Sequence, residues 1–414
     1  MNADSRISRR HILAAPLVLP ARILGANDRI RVGVIGVGGR GNLLIDQLPE
    51  QGEIVAVADC FLNRCQESAA KRQAKWRIHQ DYRRLLDEKD IDAVIVATTD
   101  HGRVLPCIHA CQAGKDVYAE KPLTVYIEEG RALVQAVRKY KRVFQVGSQQ
   151  RSMETNRIAC DFVRKGGLGR IKMVHGVNYT GPKRISGLDE EPVPQSLDWD
   201  MWLNQAEARP YNKKLHLGWM QWWDYSGGQM TNWGAHGLDQ IQSALGMDET
   251  GPVELYPLTD GPPGALGFRY ANGVTVRLDQ PEGPLMGGAI FVGEKGKIEI
   301  ARNQFTTDPP GMITNLPRQE DIDKWRDEVA KWQARYHMQD WMNCMRARSR
   351  PLADVEIGHR SVSLGHLANI TRELNRPLRW DPKKEQFRGD DEANRLVARP
   401  RRKGYELPAL RRVS

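Results

Sequence analysis

The chain is expected to be an α/β protein, with an N-terminal doubly wound parallel sheet and a C-terminal α+β domain built on a large open, mostly antiparallel sheet. Three observations carry this expectation. Short apolar runs alternate with helix-length charged segments from Arg31 to about Gln149. A glycine cluster, Gly36-Val37-Gly38-Gly39-Arg40-Gly41, follows the first of those runs. After Arg151 the pattern turns to longer strand-like segments joined by hairpin turns.

RVGVIG, EIVAVAD, DAVIVAT, KDVYAE and RVFQVGS are the predicted parallel strands. Their ends (Gly36, Asp59, Thr98, Glu120, Gly147) should line one edge, where ligands bind in such sheets. In G-x-G-x-x-G the first glycine permits a tight turn, the second lets backbone approach a pyrophosphate, and the third lets helix and strand pack closely, with the phosphates over the helix N-terminus. Asp59 ends the second strand about 20 residues after the glycines, where a carboxylate bonds a ribose 2′-hydroxyl and repels a 2′-phosphate. NAD is therefore favoured, and Arg64, close to Asp59 in sequence, leaves NADP open. The candidate cofactor-binding residues are Gly36, Gly38, Gly39, Arg40, Gly41, Asp59, Thr98, His101, Glu120, Lys121 and Gln149.

In the C-terminal half, KMVHGVNY, VELYPL, GFRYANGVTVRLDQ and GAIFVGEKGKIEIA read as strands, with hairpin turns at Asn272-Gly273 and Glu294-Lys295-Gly296. A polar, Pro- and Trp-rich stretch from Gly181 to Gly227 interrupts them, and loops of that length are usually functional. Helices are predicted over Trp332–Arg348 and Ala353–Leu374. The divisions are a leader at 1–27, a Rossmann domain at 28–150, an α+β domain at 151–380 for substrate and oligomerisation, and a basic tail at 381–414.

The 414 residues carry 61 Lys and Arg against 51 Asp and Glu, a net charge of +10. The excess sits at the ends rather than on one aromatic-interleaved face, so no nucleic-acid partner is expected. Arg395, Arg399, Arg401, Arg402, Lys403, Arg411 and Arg412 read as a solvated or subunit-contacting tail. Ser8-Arg9-Arg10-His11-Ile12-Leu13 leads into an apolar stretch shorter than the ~20 residues a membrane span needs. That pattern resembles a twin-arginine export signal and points to the periplasm, or to the cytoplasm if the leader is inert. No membrane span is expected. The six cysteines show no metal-ligand spacing and read as core thiols, and no metal site is expected.

Two constellations carry chemistry. Pro122 fixes the backbone beside Lys121 at a strand end, so the lysine can stabilise a developing alkoxide and shift its pKa when desolvated. Asn232 and His236 are four apart and share a helix face, with Asp239 a turn further along. The imidazole suits a general acid or base. Tyr179, Trp199, Tyr211, Trp222, Trp223 and Tyr225, interleaved with Asp198, Asp224 and Gln229, offer either a platform for sugar C–H faces or core packing. Arg151, after GSQQ, is placed within reach of cofactor or substrate. The substrate-binding candidates are Arg151, Tyr179, Trp199, Tyr211, Trp223, Asn232 and His236.

The order of these features resembles the Gfo/Idh/MocA oxidoreductases: a Rossmann domain, an E-K-P tripeptide (Glu120-Lys121-Pro122), then an α/β domain with a large open sheet. LGANDRIRVGVIGVGGRG, LDWDMWLNQAEARPYN, SGGQMTNWGAHGLDQI and RPLADVEIGHRSVSLGHLANI are similar to an exported bacterial branch of that family abundant in planctomycetes. The resemblance implies hydride transfer from a secondary hydroxyl carbon of a sugar or cyclitol, with Lys121, His236 and Asn232 as the catalytic set. Where the family has an Asp four residues before this His, the chain has Asn232, which orients but cannot accept a proton. Where relatives read T-P-D-H-W-H, this chain has Thr98-Thr99-Asp100-His101-Gly102-Arg103; Arg103 is then either an anion-binding group or a surface helix arginine. Two other readings stay open: redox-neutral glycoside cleavage by transient oxidation and elimination, with Tyr179 or Tyr225 as extra base, and a lapsed sugar-binding relative. The cofactor is expected to be tightly bound, and the open sheet to pair in a homodimer or homotetramer.

Overall fold

A computed structural model describes residues 29–259, 264–283, 285–326 and 333–409. The leader expected at 1–27, Arg411 and Arg412 lie outside the described residues. Strands β1 (Ile30–Ile35), β2 (Gly52–Ala58), β3 (Arg77–His79), β4 (Ala93–Val96), β5 (Asp116–Ala119) and β6 (Phe144–Val146) form one sheet in the order β3-β2-β1-β4-β5-β6. Every pairing in it is parallel. Helices cover both faces, so the central strands are buried on both sides; Val32, Val34, Val94 and Ile95 are fully enclosed. Strand order reverses between β1 and β4, which opens a crevice at their carboxyl ends. β3 escapes sequence reading because it has only three residues, on a sheet edge, with a half-exposed or exposed side chain at each.

The second sheet has nine strands: β7 (Ile171–Val177), β8 (Glu254–Pro257), β9 (Leu266–Arg269), β10 (Thr275–Gln280), β11 (Ala289–Gly293), β12 (Lys297–Ala301), β13 (Gln304–Asp308), β14 (Leu378–Asp381) and β15 (Gln386–Phe387). Their order is β13-β12-β11-β7-β10-β9-β8-β14-β15, antiparallel except where β7 meets β10. Both expected hairpins form. Asn272 Oδ1 accepts from Val274 N at 3.1 Å in the first, and Gly293 N donates to Gly296 O at 2.9 Å in the second. One face packs on helices through Val174, Phe268, Val276, Phe291 and Ile298. The other alternates half-buried apolar and polar side chains, with Met173, Ile290 and Val292 beside a His175–Asp279–Arg277 cluster.

The two sheets are tied by C-terminal helices. Arg335–Ala347 returns to the first sheet, where Trp341 packs against Tyr118 at 5.8 Å between ring centroids and His337 bonds the Val146 carbonyl. Val355–Leu374, capped by Asp354 accepting from Glu356 N, is buried over most of its length because layers press on it from several sides. Among the described residues no helix is long and apolar enough to cross a membrane. All six cysteines are free thiols, five buried and Cys60 half-buried.

The tail departs from expectation. β14 and β15 add to the second sheet, and the chain then folds back over the N-terminal half instead of projecting into solvent. Arg399 lies over the Tyr126 ring and donates to Asp224 O at 2.5 Å, Arg401 pairs with buried Glu129 at 2.5 Å, and Arg402 donates to Asn204 O at 2.8 Å. Buried carboxylates and carbonyls are what recruit these arginines, and that demand is invisible in a local charge count.

Candidate active site

The crevice at the strand ends is a cavity of about 570 Å³. Gly36 ends β1 with φ +91°, and a Cβ there would sit 2.7 Å from Ala97 C and Thr98 N. Gly41, one turn into the helix Gly39–Asp46, would put a Cβ 2.0 Å from Gly36 O, so helix and strand meet backbone to backbone. Gly39 faces open space, and the helix starts with no side-chain cap and no acidic residue in its first turn. Its leading amides are thus left for an anion, and the room above Gly39 fits a pyrophosphate. Asp59 lies on the cavity wall with Arg64 beside it. Its carboxylate accepts from Val37 N at 2.7 Å and Phe61 N at 2.9 Å; burial raises its pKa while Arg64 opposes the rise. The remaining lone pairs suit a ribose hydroxyl. These groups fit a dinucleotide.

At the other end of the cavity, β5 delivers Glu120 and Lys121. Glu120 Oε1 accepts from Arg40 Nε at 2.7 Å and Oε2 from Lys121 N at 3.1 Å. Lys121 Nζ reaches across to Asn232, donating to Oδ1 at 2.8 Å and to the carbonyl at 3.0 Å. Asn232 closes the short helix Gln229–Asn232, and His236 lies in the next helix, Gly234–Leu245, after a step at Trp233; both side chains nonetheless line the cavity. Burial pushes Lys121 down to about 8, with Glu120 resisting and Arg40 assisting. Burial also holds His236 well below its ordinary value, and Lys121, Arg302 and Arg40 deepen the shift. His236 is therefore a neutral base at neutral pH.

Of the sequence candidates, Gly36, Gly38, Gly39, Arg40, Asp59, Thr98, Glu120, Lys121, Gln149, Asn232 and His236 line the cavity, with Gly41 packed directly behind it. Others lie elsewhere. His101 points away, its Nε2 on Trp202 O at 2.7 Å and its ring against Trp202 and Tyr225; burial lowers it to about 3. Arg151 is consumed by Asp239 and Asp248, at 2.8 and 2.7 Å. Tyr179 is buried against Gly234, while Trp199 stacks on Trp202 at 4.5 Å and Tyr211 meets Trp199 edge-on. Trp223 carries Arg184 over its ring, and Tyr225 is wholly buried, which pushes its hydroxyl pKa well up. The aromatic set is thus mostly the small core of the 181–227 insert, because indoles close together in a long loop pack on one another first.

Residues missed from sequence include Met201, Trp202, Asn204, Trp219 and Met220, which line the cavity from the insert. The insert is zipped to the end of β2: Leu62 N donates to Ser196 O at 3.0 Å, Asp198 N to Cys60 O at 2.9 Å, and Gln80 Nε2 to both carbonyls at 3.1 Å. It therefore forms a roof over the Asp59 end. Arg302, on the turn after β12, was also missed. It bonds Gln149 at 3.2 Å in the amide orientation that satisfies both ends of that side chain, and burial lowers it to about 10. Nothing around an isolated turn arginine signals that placement. Among the described residues no group of three His, Cys, Asp or Glu side chains could hold a metal ion.

Residues 30–148 match the family profile described as oxidoreductase family, NAD-binding Rossmann fold (Gfo/Idh/MocA), and residues 175–407 match that family's C-terminal alpha/beta domain. The chain is 32% identical over 174 residues to an inositol 2-dehydrogenase of Rhodococcus erythropolis, covering 40% of this chain and 49% of that protein. It is 27% identical over 172 residues to one of Salmonella paratyphi B, covering 41% and 50%. The matched segments span about half the length of these curated relatives. The fold is similar to the WlbA dehydrogenase from Bordetella pertussis, solved in complex with NADH and UDP-GlcNAcA, with a TM-score of 0.61, 20% identity and coverage of 85% of this chain and 99% of that one.

Proposed function

The chain belongs to the Gfo/Idh/MocA oxidoreductase family, and from that premise we propose that it moves hydride between a secondary hydroxyl carbon of a sugar or cyclitol and a bound NAD(P). The observation that carries this reading is Lys121 held on Asn232 beside neutral His236, at the far end of a cavity whose near end has the groups to fit a dinucleotide. When bound, the nicotinamide supplies the hydride acceptor. Gly36 to Gly41 would hold the pyrophosphate and Asp59 the ribose, which favours NAD over NADP. His236 takes the hydroxyl proton, the Lys121 ammonium stabilises the oxygen as charge develops, and Asn232 fixes the lysine's direction. Supplying a panel of sugars and cyclitols and following reduced-nicotinamide absorbance, with ketone or lactone product analysis, tests the reading; silence across the panel from nucleotide-loaded protein would favour a lapsed sugar-binding relative.

The pH profile separates the roles. Because His236 titrates well below 6.5 and Lys121 near 8, the rate should be flat through neutrality and fall as pH rises through about 8, where the ammonium is lost. Asn232→Asp should restore the family's pair, raising both groups. A rising limb should then enter the neutral range and the falling limb move above 8; an unchanged profile would take both residues out of the chemistry.

Tight retention of the cofactor belongs to the same proposal, and the insert roof supports it. The arginines that follow residue 398 bind the roof from behind, through Asn204, Asp200 and Asp224. Deleting residues 399–414 should therefore speed nucleotide release, since losing about 1.4 kcal/mol of closure gives a ten-fold change. Stopped-flow fluorescence of bound NADH checks it. The destination outside the cytoplasm rests on the Ser8–Leu13 leader, and a retained cofactor suits a compartment without a nucleotide pool. The half-apolar outer face of β7, β10 and β11 is the proposed homo-oligomer contact, testable by light scattering. Redox-neutral elimination would need another base, because Tyr179 and Tyr225 do not line the cavity.

A further inference from the structure

Asp100, Arg103 and Ser226 are almost completely buried, and the proton transfer proposed above does not use them. Arg103 lies just before the helix Val104–Gln112 and turns its guanidinium inward. It donates to Thr98 O at 2.6 Å and to Pro122 O, and stands 3.4 Å from Asp100 Oδ1. It lines the cavity but is not an exposed helix arginine: its two terminal nitrogens are taken by carbonyls and Asp100, while its Nε has no partner. The other Asp100 oxygen accepts from Ser226 Oγ at 2.8 Å, and Ser226 Oγ accepts from Gly228 N at 3.1 Å. Gly228 caps the helix that ends at Asn232, whose N–H donates back to Gly228 O at 3.0 Å. Asn232 in turn receives Lys121, the residue bonded covalently to Pro122.

These contacts close a ring from Lys121 through Pro122, Arg103, Asp100, Ser226, Gly228 and Asn232 back to Lys121. We propose that Asp100, Arg103 and Ser226 are positioning residues that hold the two sides of the site together, fixing the Lys121 ammonium on Asn232. The ring spans three separate pieces of chain: the end of β4, the turn after β5 and the end of the insert. Each contributes a polar group that bonds one of the other two, so the aim of Lys121 depends on the whole ring. Arg103 also adds to the field at the lysine, behind burial, Glu120, Arg40 and Asp100. Lys121 faces Glu120 and Asp100, which favour its charge, and Arg40 and Arg103, which oppose it, with neutral His236 alongside. The inference rests on Lys121 as the acting residue, but its test needs no turnover.

The test is the pH dependence of Lys121 acetylation by acetic anhydride in the full-length protein as purified, read by peptide mass spectrometry with melting temperature and nucleotide content alongside. In the wild type the labelling midpoint should lie near 8. Arg103→Gln removes a cation and leaves Asp100 unneutralised, so the midpoint should rise by about one unit; Arg103→Lys keeps the charge and should leave it near 8. Ser226→Ala removes one hydroxyl and no charge, so it should leave the midpoint in place while raising the limiting rate at high pH several-fold, as Asn232 lets go of the amine. If Arg103→Gln does not fold, Ser226→Ala decides the matter through the limiting rate. Labelling of Lys121 identical to wild type in folded Arg103→Gln or, where that variant does not fold, in Ser226→Ala, whatever happens to the melting temperature, would overturn the proposal and leave the trio as core packing.

Discussion

Lys121→Ala should lower turnover by about 10²- to 10³-fold, the usual consequence of removing one preorganised donor from a developing oxyanion. The side chain lies on the cavity wall rather than in the core, and its partners, Asn232 and its own neighbour Glu120, keep other bonds: Asn232 Nδ2 to Gln229 and Glu120 to Arg40. The substitution should therefore leave the fold and nucleotide affinity close to wild type. Steady-state kinetics with NADH binding measured in parallel checks it. A variant keeping more than about a tenth of the rate would remove Lys121 from the chemistry.

Gly41→Ala should destroy nucleotide binding and destabilise the protein together. Its Cβ would land 2.0 Å from Gly36 O, a backbone atom that cannot retreat because Gly36 is itself wedged against Ala97 and Thr98. The helix Gly39–Asp46 must then shift off β1, carrying its leading amides away from the cradle; overpacking of this kind costs about 1–3 kcal/mol in stability alone. Gly39→Ala separates the two effects. Nothing lies within 4 Å of a Cβ there, so stability should hold while the added methyl intrudes on the nucleotide. Calorimetric titration with NADH and thermal unfolding of both variants would show whether the glycines act as argued; equal losses of stability in the two would contradict it.

What could be read from the sequence followed local rules. Apolar runs buried on both faces announced β1, β2, β4, β5 and β6, and Asn272-Gly273 announced its hairpin, because each depends on residues within one or two turns. The trench from Gly36 to Asp59 was legible for the same reason. What failed was long-range. His101 and Arg151 are placed by partners about 100 residues distant in sequence, Trp202 O and Asp239, and no local pattern states those distances. Aromatic density identified the insert as special but not which rings face the cavity: Trp202 and Trp219 do, while Trp199 and Trp223 do not. The surface-helix reading of Arg103 failed because helix-start arginines are normally solvated, whereas here two carbonyls at the strand ends draw it inward.

The most direct measurement of the central claim is isotopic. Protein carrying its nucleotide is mixed with an excess of the responsive sugar or cyclitol deuterated at its carbinol carbons, quenched within one turnover, and the nucleotide released by denaturation is weighed by mass spectrometry. Hydride transfer within the cavity predicts one deuterium per nicotinamide in wild-type protein and almost none in Lys121→Ala. Product formed while the nucleotide stays unlabelled would contradict the account.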